Sequence, residues 1–280
     1  MFTTQMITGH QDTPIQVLRT GPHPTVVVVH GVQATADDWR ATATYLASTS
    51  RHCAVPNRRG RAPSGGLGVG YGLETEVGDL RALLDRLEGD VTLVGHSYGG
   101  TIALATALEY PDLRALVLYE PAWPAGGPVV GPILQPIAAA IARGELDEAL
   151  ALNLTTVMGM SAEAVEQLRG TPQWQAHRAL IPTTVAEFQT LDALPPDLSP
   201  FNQITTPTRI VLGAQTPAGS PFSQTAIALA QALPHAVLDH LPGHGHIAHL
   251  LAPEQLAAAI MNERVPERLQ PSSTPGGSHG

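Results

Sequence analysis

The segment 95–99, which spells Gly-His-Ser-Tyr-Gly, places a serine hydroxyl between two glycines at a spacing that can produce a nucleophile. Such a serine sits on a sharp strand-to-helix turn that exposes its hydroxyl at the carboxyl edge of a sheet. Glycines are needed two residues to either side because side chains there would clash as the turn closes. The apolar run 91–94 before Ser97 and the Ala-rich stretch after it favour this interpretation over a glycine-rich turn with an idle serine.

A serine hydroxyl is a weak nucleophile near neutral pH, so Ser97 needs a base. Among the twelve histidines, His246 is the best candidate, because it lies between the last predicted strand and the last predicted helix. His244 is the alternative, two residues away. His240 and His249 fit packing or solvent-facing roles. These four histidines match no zinc spacing pattern, and no His-Glu-x-x-His occurs, so no metal site is predicted.

The elements around Ser97 and His246 alternate between strand and helix, which predicts a mostly parallel α/β sheet. Short apolar runs predict the strands, and spaced apolar positions or Ala-rich composition predict the helices. The predicted strands are 26–30, 52–56, 91–94, 115–119, 209–212 and 236–238, and the predicted helices are 36–48, 74–88, 101–110 and 253–261.

The alternation breaks between about 122 and 203, in a stretch rich in Ala, Leu and Pro. Pro182 and the pair 195–196 punctuate short helical patterns there, such as 132–143, 145–157 and 161–169, which predicts a helical insertion. The expected organisation is therefore a core, a cap and a disordered tail. The core is 1–122 with 203–262, the cap is 123–202, and the tail is 263–280.

Composition excludes several classes of function. All 15 basic residues are Arg, so Schiff-base, pyridoxal-phosphate and Walker-loop chemistry, which need lysine, are excluded. The net charge of −9 argues against a nucleic-acid partner. Arg58, Arg59 and Arg61 form the only dense basic cluster and are expected on a solvated loop. The single cysteine, Cys53, permits no internal disulfide and is expected as a small buried hydrophobe.

Neither a signal peptide in 1–19 nor an apolar run of 18 residues is present, so no membrane association and a cytoplasmic location are expected. The sequence leaves the oligomeric state open.

The chain resembles the α/β-hydrolase superfamily over about 23–122 and 203–262. The resemblance is carried by the segment 95–99, by Val-Val-His-Gly at 28–31, by Arg-Arg-Gly-Arg at 58–61 and by Gly-His at 245–246. It implies an α/β-hydrolase fold, a mostly parallel sheet flanked by helices with a helical cap insertion. It also implies Ser97 as nucleophile and His246 as base, with the backbone N–H groups of Val32 and Tyr98 as oxyanion hole. No metal or organic cofactor is implied.

The sequence departs from the commonest pattern of that superfamily at the acid that orients the base. The loop 213–219 contains no carboxylate. Glu120, which ends the run 116–119 before Pro121, is the expected replacement, similar to members such as haloalkane dehalogenases that place the acid after this strand. Alternatively, Glu120 caps a helix of the insertion or pairs with an arginine, and Asp239 is the fallback acid.

Asn57 stands where the superfamily carries Asp, which puts a local ion pair in doubt.

These features predict a serine hydrolase that cleaves an ester, lactone or thioester of an apolar small molecule through an acyl-Ser97 intermediate. The insertion carries few charges between 121 and 142, and its large apolar side chains are expected both to pack and to line a pocket over Ser97. These side chains are Trp123, Met158, Met160, Trp174 and Phe188.

Two alternatives remain open. The same triad can serve acyl transfer, cyclisation or perhydrolysis, or the chain can be a non-catalytic ligand-binding protein on a hydrolase scaffold. Epoxide hydrolase and dehalogenase chemistry are disfavoured because they use a carboxylate nucleophile where this chain has Ser97.

Overall fold

The structure is a computed structural model that describes residues 2–49 and 51–262. Eight strands form one sheet in the order β1-β2-β4-β3-β5-β6-β7-β8, with β3 to β8 mutually parallel. All six predicted strands are present, which confirms the α/β class. The strands are β1 (Thr3–Thr8), β2 (Pro14–Arg19), β3 (Pro24–Val29), β4 (His52–Asn57), β5 (Thr92–His96), β6 (Ala115–Tyr119), β7 (Thr208–Gly213) and β8 (Ala236–Leu241).

Helices cover both faces of the sheet, and the strand residues alternate between two apolar clusters accordingly. Val27 and Val29 of β3 face one of these clusters, whereas Val26 and Val28 face the other. This period of two explains why a run of four valines is buried throughout. The core helices are α1 (Arg40–Ser48), α2 (Leu73–Leu84), α3 (Tyr98–Ala107), α8 (Pro221–Ala232), α9 (Ala248–Leu251) and α10 (Pro253–Met261).

The sequence patterns did not predict β1, β2 or α8. β1 and β2 pair antiparallel with each other, and β2 also pairs antiparallel with β4. β1 is an edge strand in which only Ile7 is buried, so its sequence carries almost no apolar alternation. These strands extend the sheet at the edge far from β8.

Four further helices lie between β6 and β7, as the composition of that stretch predicts. They are α4 (Leu134–Ala142), α5 (Leu146–Leu152), α6 (Ala162–Leu168) and α7 (Pro172–Asp192). The expectation that Pro182 separates short helices is wrong, because α7 runs through it for 21 residues. The helices share a small core of their own, built from Ile137, Ala140, Ala149, Leu150, Leu154, Val165, Trp174 and Ile181. Tertiary burial of this kind overrides the helix-breaking tendency of one proline.

A turn of π-helix, Asn153–Val157, follows α5 directly. The N–H of Met158 donates to the carbonyl of Asn153 over 3.1 Å, the i+5 bond that defines this wider turn. The predicted helix 145–157 therefore exists, but its last turn is wound differently.

Cys53 lies fully buried on β4, where burial raises the pKa of its thiol to about 12. None of the helices within 2–49 and 51–262 combines the length and the apolarity needed to cross a bilayer. The predicted disordered tail 263–280 lies outside the described residues.

Candidate active site

Ser97 occupies the turn between β5 and α3, with φ 54° and ψ −122°. A non-glycine residue at positive φ is uncommon and marks a backbone held in place by its surroundings. Here two glycines permit the close approach. A Cβ on Gly95 would lie 2.4 Å from the carbonyl oxygen of Gly99, and a Cβ on Gly99 would lie 2.1 Å from that of Val29. Any side chain at these positions would open the turn.

The loop after β3 packs directly against this turn. A Cβ on Gly31 would lie 2.9 Å from the Cβ of Ser97. Val32 follows Gly31 and lines the same cavity as Ser97. Val32 and Tyr98, whose N–H groups the family resemblance implies as oxyanion donors, are thus a cavity neighbour of Ser97 and the residue that follows it in the chain.

Glu120 and His246 form a short contact beneath the cavity. Glu120 Oε2 lies 2.7 Å from His246 Nδ1, and the Glu120 side chain is fully buried. The other carboxylate oxygen accepts from the N–H of Gly213, at 2.7 Å, and from the hydroxyl of Thr216. A carboxylate with three hydrogen-bond partners is fixed in orientation, and it directs His246 Nε2, the remaining ring nitrogen, away from itself.

The backbone around Glu120 is shaped for this contact. Glu120 has φ 42°, and its N–H donates to the carbonyl of Val211 over 3.0 Å. A Cβ on Gly213 would lie 2.8 Å from Glu120 Oε1 and 2.5 Å from the Cα of Gly245. The loop after β7, which lacks a carboxylate of its own, therefore contributes backbone and hydroxyl donors to the carboxylate of the neighbouring strand.

The loop that carries His246 is held from two sides. Phe222 stacks on the imidazole with ring centroids 3.9 Å apart. His96 Nε2 lies 2.9 Å from the carbonyl oxygen of His246, and the hydroxyl of Tyr119 donates to the carbonyl of Gly245. Phe222 was missed by the sequence patterns because α8, on which it lies, was missed.

Two further imidazoles pack beside His246. Burial, reinforced by the neighbouring histidines, holds the pKa of His96 well below its usual range. Burial, with the nearby His246, lowers the pKa of His249 to about 3. His249 also stacks on Trp39 at 5.0 Å between ring centroids. Both side chains are therefore neutral at ordinary pH and add no positive charge around His246.

The alternative candidates lie elsewhere. His244 Nε2 contacts Gln255, and Asp239 pairs with Arg209. His240 is exposed on β8. Of the four late histidines, His246 and His249 therefore line the same cavity, whereas His240 and His244 have separate surroundings.

The expectation that Arg58, Arg59 and Arg61 lie on a solvated loop is wrong, since all three are buried in ion pairs. The Arg58 guanidinium lies 2.6 Å from Glu76 of α2 and 2.6 Å from Glu187 of α7. The acids that neutralise these three arginines are distant along the chain. The sequence alone therefore shows no ion-pair partner near them and suggests a solvent-exposed loop.

Glu187 also contacts Arg61, at 2.7 Å. Burial alone would raise the pKa of Glu187, but Arg61 and Arg58 hold it below its usual range. The side chain of Asn57, which stands in place of the expected acid, bonds to backbone groups of the described residues. Its oxygen accepts from the N–H of Ala36 at 3.1 Å, and its nitrogen donates to the carbonyls of Arg61 and Ala62.

Ser97 and His246 line one cavity of about 80 Å³ whose walls are mainly apolar. One side of the cavity is formed by the sheet and the loops and helices next to it, and the other side by the helices between β6 and β7. The sheet side supplies Val32, Gln33, Ala34, Asp38, His96, Ser97, Phe222, His246, Ile247, His249 and Leu250, and the helical side supplies Asn153, Leu154, Val157, Met158, His177 and Phe188. Of the large apolar residues expected over Ser97, Met158 and Phe188 line this cavity, whereas Trp123 and Trp174 pack in cores and Met160 packs beside one.

The sheet order, the turn at Ser97 and the helical insertion define the class of protein. A family model described as the alpha/beta hydrolase family matches residues 26–259, and the chain belongs to that family. An α/β hydrolase structure from Sphaerobacter thermophilus is similar over 91% of this chain and 98% of that one, with a TM-score of 0.74 and 27% identity. A potato epoxide hydrolase shares the fold, with a TM-score of 0.73 over 94% of this chain and 98% of that one, at 19% identity.

Curated relatives match over shorter stretches. A 2-hydroxy-6-oxo-2,4-heptadienoate hydrolase of Pseudomonas putida is 40% identical over 101 residues, 33% of this chain and 36% of that protein. Lipase LipV of Mycobacterium tuberculosis is 35% identical over 114 residues, 39% of this chain and 42% of that protein. The matches thus span about two fifths or less of these relatives' lengths.

Proposed function

We propose that this chain is a serine hydrolase that cleaves a small neutral ester, lactone or thioester through an acyl-Ser97 intermediate. The observation that carries the proposal is the 2.7 Å contact between Glu120 and His246 Nδ1 beneath a cavity that Ser97 also lines. The contact fixes the imidazole tautomer, so that His246 Nε2 is the basic nitrogen for the Ser97 hydroxyl.

The chemical steps follow from these positions. His246 Nε2 accepts the hydroxyl proton as Ser97 Oγ bonds to the substrate carbonyl carbon, and the N–H groups of Val32 and Tyr98 stabilise the resulting oxyanion. The carbonyl forms again as the leaving group departs with the proton from His246. Water then attacks the acyl-enzyme with His246 as base, which releases the acid and restores Ser97. The Glu120 carboxylate stabilises the imidazolium in both halves of the reaction.

The substrate class is drawn from the cavity. Among the described residues, its lining contains no arginine and one carboxylate, Asp38, which disfavours anionic substrates. A volume of about 80 Å³ suits a short acyl group. Leu154, Val157 and Met158 cover this space from the helical side, which supports a role for 123–202 as a cap over the core of 1–122 and 203–262.

Reaction with a fluorophosphonate probe tests the nucleophile. Intact-mass and peptide analysis are expected to locate one adduct on Ser97. The Ser97→Ala variant is expected to remain unlabelled, and Ser48→Ala, at an exposed serine of α1, to label like the parent. A folded parent protein that fails to react would overturn the proposal and favour a ligand-binding role.

Hydrolysis in ¹⁸O-labelled water then tests the fate of the acyl-enzyme. Label in the released acid is expected, because water is the proposed acceptor. Unlabelled acyl product joined to a substrate hydroxyl would assign the same triad to acyl transfer or cyclisation instead.

A further inference from the structure

The cavity over Ser97 is bordered by polar atoms that have no partner in the part of the chain that the structure describes. Among the described residues, eight buried side-chain nitrogen and oxygen atoms lack a hydrogen bond, and five of them belong to residues that line this cavity. Buried polar groups in folded proteins are nearly always paired, so an exception needs an explanation. The five are His96 Nδ1, Asn153 Nδ2, Asn153 Oδ1, His177 Nδ1 and His249 Nδ1.

Asn153 is the extreme case. Its residue is fully buried, and neither its amide nitrogen nor its amide oxygen is bonded. It begins the π-helical turn Asn153–Val157, whose backbone is complete because Met158 N–H donates to the Asn153 carbonyl. Isolated π turns of this kind frequently occur at functional sites. The turn thus presents an unpaired carboxamide on the wall of the cavity.

The other carboxamide on this cavity shows the contrast. The Gln33 amide, oriented with its oxygen 2.5 Å from Thr184 Oγ1, donates to the carbonyl of His177 at 3.3 Å and accepts from the N–H of Ile181 at 3.3 Å. Gln33 is therefore occupied in joining the loop beside Val32 to α7. Asn153 has the same functional group in the same cavity and no partner among residues 2–49 and 51–262, so it is available to a bound ligand.

We infer that Asn153, assisted by His177, forms a subsite for a neutral hydrogen-bonding group on the acyl portion of the substrate, a hydroxyl or an amide. This inference rests on the proposed function of Ser97. A carboxamide offers both donors and an acceptor, which matches a group that itself donates and accepts. A carboxylate does not suit the site, since the cavity lining lacks arginine and contains Asp38. Most of the remaining lining is apolar, so such a group is oriented by Asn153 while the chain that carries it packs against Leu154 and Val157.

A matched pair of esters tests the subsite. The probes are p-nitrophenyl butyrate and p-nitrophenyl 3-hydroxybutyrate, which differ by one hydroxyl. The parent is expected to favour the hydroxylated ester by about tenfold in kcat/KM, because the apolar ester leaves the buried amide unpaired. Asn153→Leu, close in size, is expected to bring this ratio to about one. Asn153→Ala serves the same purpose if the leucine variant does not fold.

Thr156→Val is the matched control. Thr156 lies on the same π-helical turn, is exposed, and donates to the carbonyl of Leu152 without lining the cavity. The ratio of kcat/KM for the hydroxylated ester to kcat/KM for the butyrate ester is expected to be the same in this variant as in the parent. An unchanged ratio in Asn153→Leu, with Ser97 still labelled by fluorophosphonate, would overturn the subsite and leave the proposed function intact.

A second measurement decides the subsite without turnover. The melting temperature is recorded with 3-hydroxybutyramide and with butyramide, since a ligand stabilises the folded state in proportion to its binding. Greater stabilisation by the hydroxylated amide in the parent, lost in Asn153→Leu, supports the subsite even if Ser97 proves unreactive. Equal stabilisation by both amides in both proteins would overturn it.

Discussion

Two fully buried carboxylates, Glu120 and Glu187, illustrate opposite uses of charge in this molecule. Glu187 lies against two guanidinium groups, Arg58 and Arg61, in a cluster that also contains Glu76 and so combines two basic with two acidic side chains. Glu120, by contrast, contacts no arginine among the described residues. Its partners are a backbone N–H, a hydroxyl and the imidazole of His246, which lines a cavity.

The difference teaches how to separate a positioning carboxylate from a structural one. The Glu187 cluster joins the end of β4 to α7, so loss of its ion pairs is expected to lower the free energy of unfolding. Glu120 instead contacts the imidazole of His246, which a substrate in the cavity can reach. Loss of this contact is therefore expected to lower the turnover rate. Each prediction below places one residue on one side of this division.

The largest expected effect is on turnover at Ser97. Ser97→Ala removes the proposed nucleophile and is expected to lower kcat by about 10⁴- to 10⁶-fold. The melting temperature should change little, because the loss is a single hydroxyl at the cavity surface. Ester hydrolysis and thermal unfolding measured on one preparation check both parts, and near-parental turnover would remove Ser97 from the mechanism.

Glu120→Gln is expected to lower kcat by about 10²- to 10⁴-fold with the fold retained, since a neutral amide no longer stabilises the imidazolium. Thr216→Val, which removes only one donor to the same carboxylate, is the matched control and should reduce kcat much less. Stopped assays at saturating ester measure both. A Glu120→Gln rate near that of the parent would place Glu120 with Glu187 as a structural acid.

These two residues also show what the sequence could predict. Ser97 stands in a local pattern whose spacing is dictated by the turn, and the structure shows the close approaches that require its glycines. Glu120 was predicted from an absence, because the loop after β7 lacks an acid and the preceding strand ends in one. Both inferences depend on positions at strand ends, which periodicity locates well.

Other features depend on contacts between distant segments and left no local signal. Arg58 and Glu187 are 129 positions apart, so their pairing is invisible until the chain folds. Pro182 suggested a break, yet the packing of α7 tolerates it. Asn153 is one of several polar residues in the insertion, and its burial without a partner is a property of the folded cavity alone.

Glu187→Gln should show the opposite pattern to Glu120→Gln, with stability lowered and turnover retained. It leaves two buried guanidinium groups without their shared counter-charge and is expected to destabilise the protein by about 3–5 kcal/mol. The turnover of the folded fraction should stay within a few-fold of the parent. Urea unfolding measures the loss, and Glu166→Gln, at an exposed pair with Arg169, should cost less than about 1 kcal/mol.

The smallest expected effect is a pH dependence of stability at His249. Its pKa is about 3 in the folded protein against an ordinary value of 6.5, so the unfolded chain binds the extra proton and stability falls as pH falls from 6.5 towards 3. His249→Phe keeps a ring against Trp39. This variant is expected to lose roughly 3 kcal/mol less free energy of unfolding than the parent between pH 6.5 and 4.

His240→Asn, at an exposed position of β8, should leave that pH profile unchanged. Unfolding curves at several pH values check the pair. Identical profiles for the parent and His249→Phe would mean that the buried imidazole cluster does not set the acid sensitivity of the fold.

The burial of Cys53 has a practical consequence. The chain contains one cysteine, and its thiol is inaccessible and keeps its proton at neutral pH. Thiol-directed dyes should therefore leave the native protein unmodified. A cysteine placed at exposed Met158, on the rim of the cavity, would then be the sole labelling position for a fluorophore. A fluorophore attached there would report whether the cavity is occupied, without interference from a second labelled thiol.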